Sequence, residues 1–152
     1  MTDETPKPKI KWDDGLRDRM ALLGVVIPEK KSYIPFKPHA KQQLFLDLDD
    51  TREALFGGAT GGGKTFALLA DALKFVHKPN YSALLLRRNF PDLKQEGGLI
   101  DLAHKWLNKT DAKWSEQDKQ WNFPSGATLR SGYLDVEVDK YRYQGGEYQY
   151  IG

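Results

Sequence analysis

An α/β fold, with a mostly parallel sheet flanked by helices, is predicted by three observations. A strand-like run, Arg52-Glu53-Ala54-Leu55-Phe56, leads straight into the glycine-rich stretch Gly57-Gly58-Ala59-Thr60-Gly61-Gly62-Gly63. From Lys64 to His77 the apolar residues Phe66, Leu69, Ala70, Leu73 and Val76 then recur at helical spacing, until Lys78-Pro79-Asn80 stops them. Ser82-Ala83-Leu84-Leu85-Leu86 follows as a nearly continuous apolar run, the mark of a parallel strand buried on both faces. Strand, helix and parallel strand in that order predict a right-handed βαβ unit.

The other elements follow in chain order. Residues 1–37 are rich in Lys, Asp and Pro and read as a partly ordered lead-in, with a short helix over Gly15–Leu23 capped by Asp13 or Asp14. Pro28, Pro35 and Pro38 break the chain into extended pieces. The domain proper is expected over residues 38–152. It opens with a short helix at Lys41–Asp47, whose apolar residues are close in phase. After the Gly97-Gly98 break, Leu99, Ile100, Leu102, Ala103, Trp106 and Leu107 predict an amphipathic helix. Lys119–Phe123 and Ala127–Ser131, separated by Pro124-Ser125-Gly126, predict an inserted β-hairpin. Tyr148-Gln149-Tyr150-Ile151 opens a further strand.

Bulk properties restrict the function classes. With 152 residues the chain suits one ordinary domain, and 39% hydrophobic with 29% charged residues fits a globular protein with a modest core. A net charge of +2 does not by itself announce nucleic-acid binding, so any basic surface must be local. The absence of cysteine excludes disulfides and thiolate metal sites. No apolar run approaches the roughly 20 residues a membrane helix needs, and the acidic start is not a secretory signal. A cytosolic protein without membrane partners is expected.

The most specific chemistry lies in Gly58-Ala59-Thr60-Gly61-Gly62-Gly63-Lys64-Thr65, which matches Gly-x-x-x-x-Gly-Lys-[Ser/Thr]. Glycines let the backbone curl with its N–H groups inward, forming a concave anion site. Lys64 supplies a charge for the β- and γ-phosphates, Thr65 a hydroxyl for Mg²⁺, and the helix behind them a positive dipole end. ATP with Mg²⁺ is the expected ligand.

Weaker candidates surround it. The Gln42 amide offers one donor and one acceptor, as an adenine contact requires, though a solvated helix glutamine is the simpler reading and Gln43 competes for the role. Arg87 and Arg88 follow the apolar strand at the carboxyl edge, where ligands bind in open α/β sheets. Either could sense a γ-phosphate, act on a neighbouring subunit or touch DNA, and a solvated pair of charges is an equal alternative. Asp135, Glu137 and Asp139 alternate but read as a solvated acidic edge, and His39, His77 and His104 show no ligand spacing.

In order, Pro38-His39-Ala40-Lys41-Gln42, the loop Gly57–Thr65, Leu85-Leu86-Arg87-Arg88, Gly126–Arg130, Tyr143-Gln144-Gly145 and Tyr148–Gly152 resemble the large terminase subunit of tailed bacteriophages. The resemblance runs from about Pro38 to Gly152. It implies a P-loop NTPase core of the additional-strand, catalytic-glutamate class that couples ATP hydrolysis to movement of double-stranded DNA into a procapsid. It also implies a homo-oligomeric ring on the portal protein, a small terminase subunit as partner and the host cytoplasm as location. Gln42 gains weight as the adenine contact, and Arg87 or Arg88 as an arginine acting between subunits. A helicase-like or DNA-translocating P-loop NTPase is the alternative within enzymes, and a nucleotide-binding remnant without turnover the alternative outside them.

Two departures from the family pattern shape the expectation. Many terminases carry an arginine inside the loop, where this chain has Ala59, Thr60, Gly61 and Gly62. The family also places an Asp-Glu pair directly after the strand that Tyr148–Ile151 opens, and the sequence stops at Gly152. An incomplete core is therefore expected, with the C-terminal nuclease absent, firm nucleotide binding, very slow hydrolysis by this chain alone and marginal stability.

Overall fold

The computed structural model describes residues 22–23, 32–48, 51–59 and 61–152. The chain divides into two units, Met1–Lys31 and Ser32–Gly152. Only Leu22 and Leu23 of the first unit are described, so the helix expected over Gly15–Leu23 lies almost wholly outside the described residues, as does Thr60 of the glycine loop.

In the second unit, helices α1 (Ala40–Leu46), α2 (Lys64–Leu73), α3 (Phe90–Lys94) and α4 (Leu99–Leu107) accompany strands β1 (Ser82–Arg87), β2 (Lys113–Ser115), β3 (Gln120–Asn122), β4 (Thr128–Tyr133) and β5 (Tyr150–Ile151). A 3-10 helix spans Glu137–Tyr143. The strands form one sheet in the order β2-β3-β4-β1-β5.

This sheet is mixed, not mostly parallel. β1 runs parallel to β4 and to β5, while β4 and β3, and β3 and β2, are antiparallel. The expected hairpin is the cause. Its second strand, β4, has one edge on β1 and the other on β3, so Leu129 pairs with Ala83 on one side and Trp121 on the other. The hairpin continues the main sheet instead of standing apart from it. β2, which adds Lys113-Trp114-Ser115 to its far edge, was not expected from the sequence.

The strand expected at Arg52–Phe56 does not form. The segment is coil, Leu55 is 98% exposed, and no ladder joins it to any described strand. Arg, Glu, Ala and Leu have little intrinsic β preference, and a β-strand is stable only where neighbours satisfy its N–H and C=O groups. The βαβ unit anticipated from it is consequently not assembled.

Apolar burial explains the remaining elements. Ala83, Leu84 and Leu85 of β1 are essentially inaccessible, as their unbroken apolar run requires. α4 buries Leu99, Ile100, Leu102, Ala103, Trp106 and Leu107, each large side chain contributing on the order of 2 kcal/mol of transfer free energy. The start of α4 is fixed by Gly98, where a Cβ would lie 2.7 Å from the carbonyl oxygens of Asp92 and Leu93. α2 buries Ala67, Leu69, Ala70, Ala72 and Leu73 and ends as a helix at Leu73, followed by turns through His77.

Several side chains outside these faces pin the body together. Tyr33, Ile34 and Phe36 pack against the core, and the Tyr33 hydroxyl donates to Asp111 Oδ1 at 2.8 Å. Burial, reinforced by the Asp111 carboxylate, pushes the Tyr33 hydroxyl up to about 12. The acidic alternation also resolves differently from a solvated edge. Asp139 is only 4% exposed, and its Oδ2 accepts from the backbone N–H groups of Asp135 (3.0 Å) and Val136 (3.1 Å). It ties down the turn that enters the 3-10 helix, and those N–H bonds hold its carboxyl below the usual range.

Candidate functional site

The glycine loop sits at the N-terminus of α2, as its spacing requires. Gly63 is the N-cap in the left-handed region (φ 71°), Gly61 is also left-handed (φ 83°), and Lys64 and Thr65 open the helix. L-residues other than glycine rarely adopt these angles, so the loop's curl depends on glycine at both positions. Gly62 N–H closes a turn onto the Ala59 carbonyl at 3.3 Å.

Lys64 folds back over this curl. Its Nζ donates to the carbonyl oxygens of Gly58 (3.0 Å) and Ala59 (2.7 Å). The ammonium therefore stands across the mouth of the loop, where an anion held by the loop would meet it.

The two arginines separate. Arg87, the last residue of β1, is half-buried, and its Nη2 donates to Thr65 Oγ1 at 3.3 Å. Arg88 is exposed and lies beyond the strand. Strand alternation accounts for the choice: Ala83, Leu85 and Arg87 share one face of β1, and Ala83 and Leu85 belong to the core cluster that includes Leu69, Ala70 and Leu73 of α2.

Lys64, Thr65 and Arg87 line one cavity of about 300 Å³, with Phe45, Ala54, Leu55, Phe56, Leu68 and Gly152 as its other walls. The Phe45 and Phe56 rings pack against each other in its wall, with centroids 5.0 Å apart and planes tilted by 34°. Two cations, a hydroxyl and the positive end of a helix thus meet in a part-apolar recess, the electrostatics of an anion site. No carboxylate lines it among the described residues.

A neighbouring cavity of about 240 Å³ shares Phe45, Ala54, Leu68 and Gly152 and adds Asp71, Lys74 and Tyr150. Arg52 also lines it, and Lys74 Nζ lies 2.8 Å from Asp71 Oδ1 and 2.6 Å from the Leu46 carbonyl. Burial and the adjacent Asp71 hold the Tyr150 hydroxyl far above its ordinary range, so it stays neutral.

The candidate glutamines also part company. Gln42 is 4% exposed, its Nε2 donates to the Gly63 carbonyl (3.0 Å), and its Oε1 accepts from the His39 backbone N–H (3.1 Å). Gln43 faces solvent and donates to Asp47. The structure thus gathers Gln42, Gly58, Ala59, Gly61, Gly62, Gly63, Lys64, Thr65 and Arg87 around one loop and leaves Gln43 and Arg88 outside it. Phe45 and Phe56, both N-terminal to the loop, were not singled out as site residues from the sequence.

The terminase large subunit family, T4likevirus-type, N-terminal, matches residues 55–152, which include the loop from Gly58 to Thr65 and Arg87. The chain belongs to this family. Neither a comparison with curated proteins nor one with solved structures returned a match. The matched residues include β1 to β5 and α2 to α4.

Proposed function

We propose that this terminase chain is the ATP-binding portion of a phage DNA-packaging motor, with Gly58–Thr65 as the triphosphate cradle of a P-loop NTPase core. The convergence of Lys64, Thr65 and Arg87 on one recess at the start of α2 carries the reading. The backbone N–H groups of the curl and of the first turn of α2 receive phosphate oxygens, and Lys64 exchanges the Gly58 and Ala59 carbonyls for phosphate. Arg87 gains a phosphate oxygen as acceptor, a charge-assisted bond stronger than its neutral bond to Thr65.

The donor set suits Mg²⁺ in the usual nucleotide-bound form. Mg²⁺ retains several waters and takes one or two protein oxygens beside phosphate, and the Thr65 hydroxyl is such an oxygen. Bound there, it neutralises charge on the β- and γ-phosphates.

Family membership supports the wider assignment: coupling of hydrolysis to movement of double-stranded DNA into the procapsid, in a homo-oligomeric ring on the portal protein, with the small terminase subunit, in the host cytoplasm. One observation favours a second reading, nucleotide binding without turnover: the recess offers cations and a hydroxyl but no carboxylate to position water among the described residues. Titration with ATP and Mg²⁺, in parallel with single-turnover hydrolysis, tests both. Binding that is lost in Lys64→Ala supports the cradle, hydrolysis decides between motor ATPase and silent binder, and equal binding by Lys64→Ala overturns the assignment.

A further inference from the structure

We propose that Tyr143 is a positioning residue for Arg87: its hydroxyl grips the peptide unit that holds the Arg87 carbonyl, and so fixes the end of β1 from which Arg87 reaches the cradle. The proposal rests on the reading of Gly58–Thr65 as a triphosphate cradle.

The end of β4 outruns its neighbour on one side. β3 pairs with β4 over Thr128–Arg130, and one step further the Lys119 carbonyl accepts the Ser131 N–H at 2.9 Å. Lys119 is left-handed (φ 52°) and belongs to the turn between β2 and β3, so the chain bends away there. Tyr133 lies past that bend, and on this edge a side chain takes the place of a strand. The Tyr143 hydroxyl accepts from the Tyr133 N–H at 2.9 Å and donates to the Tyr133 carbonyl at 3.1 Å. It thus engages both backbone groups that an antiparallel neighbour would have engaged.

The opposite edge carries Arg87. Tyr133 pairs with Arg87 in the parallel register, and the Leu134 N–H donates to the Arg87 carbonyl at 2.9 Å. The Tyr133 carbonyl and the Leu134 N–H belong to one planar trans peptide and point in opposite directions. Tyr143 therefore holds one end of a rigid unit whose other end holds Arg87, and each bond polarises the other. From this anchored backbone Arg87 Nη2 reaches Thr65 Oγ1 at 3.3 Å.

The surroundings keep the Tyr143 ring in place. A Cβ on Gly132 would collide with the Tyr143 hydroxyl and lie 2.8 Å from its Cε1 and Cζ, so the ring rests on the β4 backbone only because residue 132 is glycine. Tyr143 ends the 3-10 helix, and the residue before it, Arg142, pairs with Asp139 at 3.4 Å. Arg142 also donates to the Tyr133 hydroxyl and stands over the Tyr133 ring, 4.9 Å from its centroid. Consecutive residues thus hold the side chain and the backbone of Tyr133.

A double-mutant cycle separates positioning from plain support. Tyr143→Phe removes the hydroxyl and keeps the ring over Gly132. The full chain, Tyr143→Phe, Arg87→Ala and the double variant are titrated with ATP and Mg²⁺, with a thermal melt of each. A positioning residue weakens ATP binding about fivefold in the unmodified background and less than about 1.5-fold in the Arg87→Ala background. Equal losses in the two backgrounds mean that Tyr143 acts independently of Arg87 and overturn the proposal. A lower Tm with unchanged affinity reduces Tyr143 to a purely structural residue and overturns it as well. Should Tyr143→Phe fail to fold, the Leu134 amide resonance of the unmodified protein decides. It should shift on addition of ATP and Mg²⁺ and stay in place in Arg87→Ala; no shift in the unmodified protein, or the same shift in both, contradicts the proposal. An unmodified protein that does not bind ATP overturns the underlying cradle reading, a result distinct from any outcome for Tyr143.

Discussion

Two stretches of this molecule have strand-like sequences and opposite fates. Thr128–Tyr133 lies between two hydrogen-bonded neighbours, with Leu129 1% exposed, whereas Arg52–Phe56 has no ladder and leaves Leu55 98% exposed. The partners of each stretch account for the difference. Backbone groups on both edges and apolar cover on both faces convert preference into structure, and without them the chain stays extended coil. The loop that follows Phe56 therefore receives its order from α2 and from α1 through Gln42, and not from a strand leading into it.

The largest test of this contrast is a pair of truncations. Leu129→Ala should cost about 3 kcal/mol of stability in chemical denaturation, since it opens a cavity beneath a central strand. Leu55→Ala should stay within about 0.5 kcal/mol. Comparable losses from the two would place residues 51–59 in the cooperative core.

Next in size is the contrast between the arginines at the end of β1. Arg87→Ala should weaken ATP binding about tenfold, the worth of one charge-assisted hydrogen bond, while Arg88→Ala should change it less than about twofold. Isothermal titration distinguishes them, and the reverse ranking would show that the face shared by Ala83, Leu85 and Arg87 is not the ligand face.

The smallest effect concerns how the body holds its N-terminal approach. Tyr33 titrates at 10.0 in the unfolded chain and is pushed up to about 12 when folded. Its neutral hydroxyl therefore contributes stability that is fully present below pH 10 and is lost as pH rises toward 12. Tyr33→Phe should lower stability by about 1 kcal/mol at pH 8 and flatten that alkaline limb, with denaturation midpoints across pH 8–12 as the readout.

Much of the fold was legible because burial writes itself into periodicity. The α4 run from Leu99 to Leu107 and the β1 run from Ser82 were readable from apolar spacing alone, and Pro124-Ser125-Gly126 marked the turn between β3 and β4. α3 was missed although its signals were present: Asn89 caps it through Asp92 N–H at 2.9 Å, and Pro91 sits in the first turn, but five residues give no period to detect. β2 has three residues and depends on pairing with β3, which no local pattern encodes. The sheet came out mixed because hairpin letters specify the turn and not which outer edge meets β1.

At the candidate site, the loop spacing was legible because each position has a backbone or charge requirement. Whether Gln42 or Gln43 turns inward, and which arginine reaches Thr65, depends on where α1 and β1 dock on α2. That is long-range information. The β1 alternation contained half of it, placing Arg87 with Leu85, and the identity of the face covered by α2 supplied the rest.

Hydrogen–deuterium exchange with and without ATP and Mg²⁺ tests the central claim most directly, because it follows the loop and the sheet in one experiment. The expected result is slowed exchange at Gly58–Thr65 and the first turn of α2, no change in β1 and β4, and no slowing in Lys64→Ala. Unchanged exchange at Gly58–Thr65 under saturating ATP, or slowing that persists in Lys64→Ala, would contradict the assignment of this loop as the triphosphate cradle.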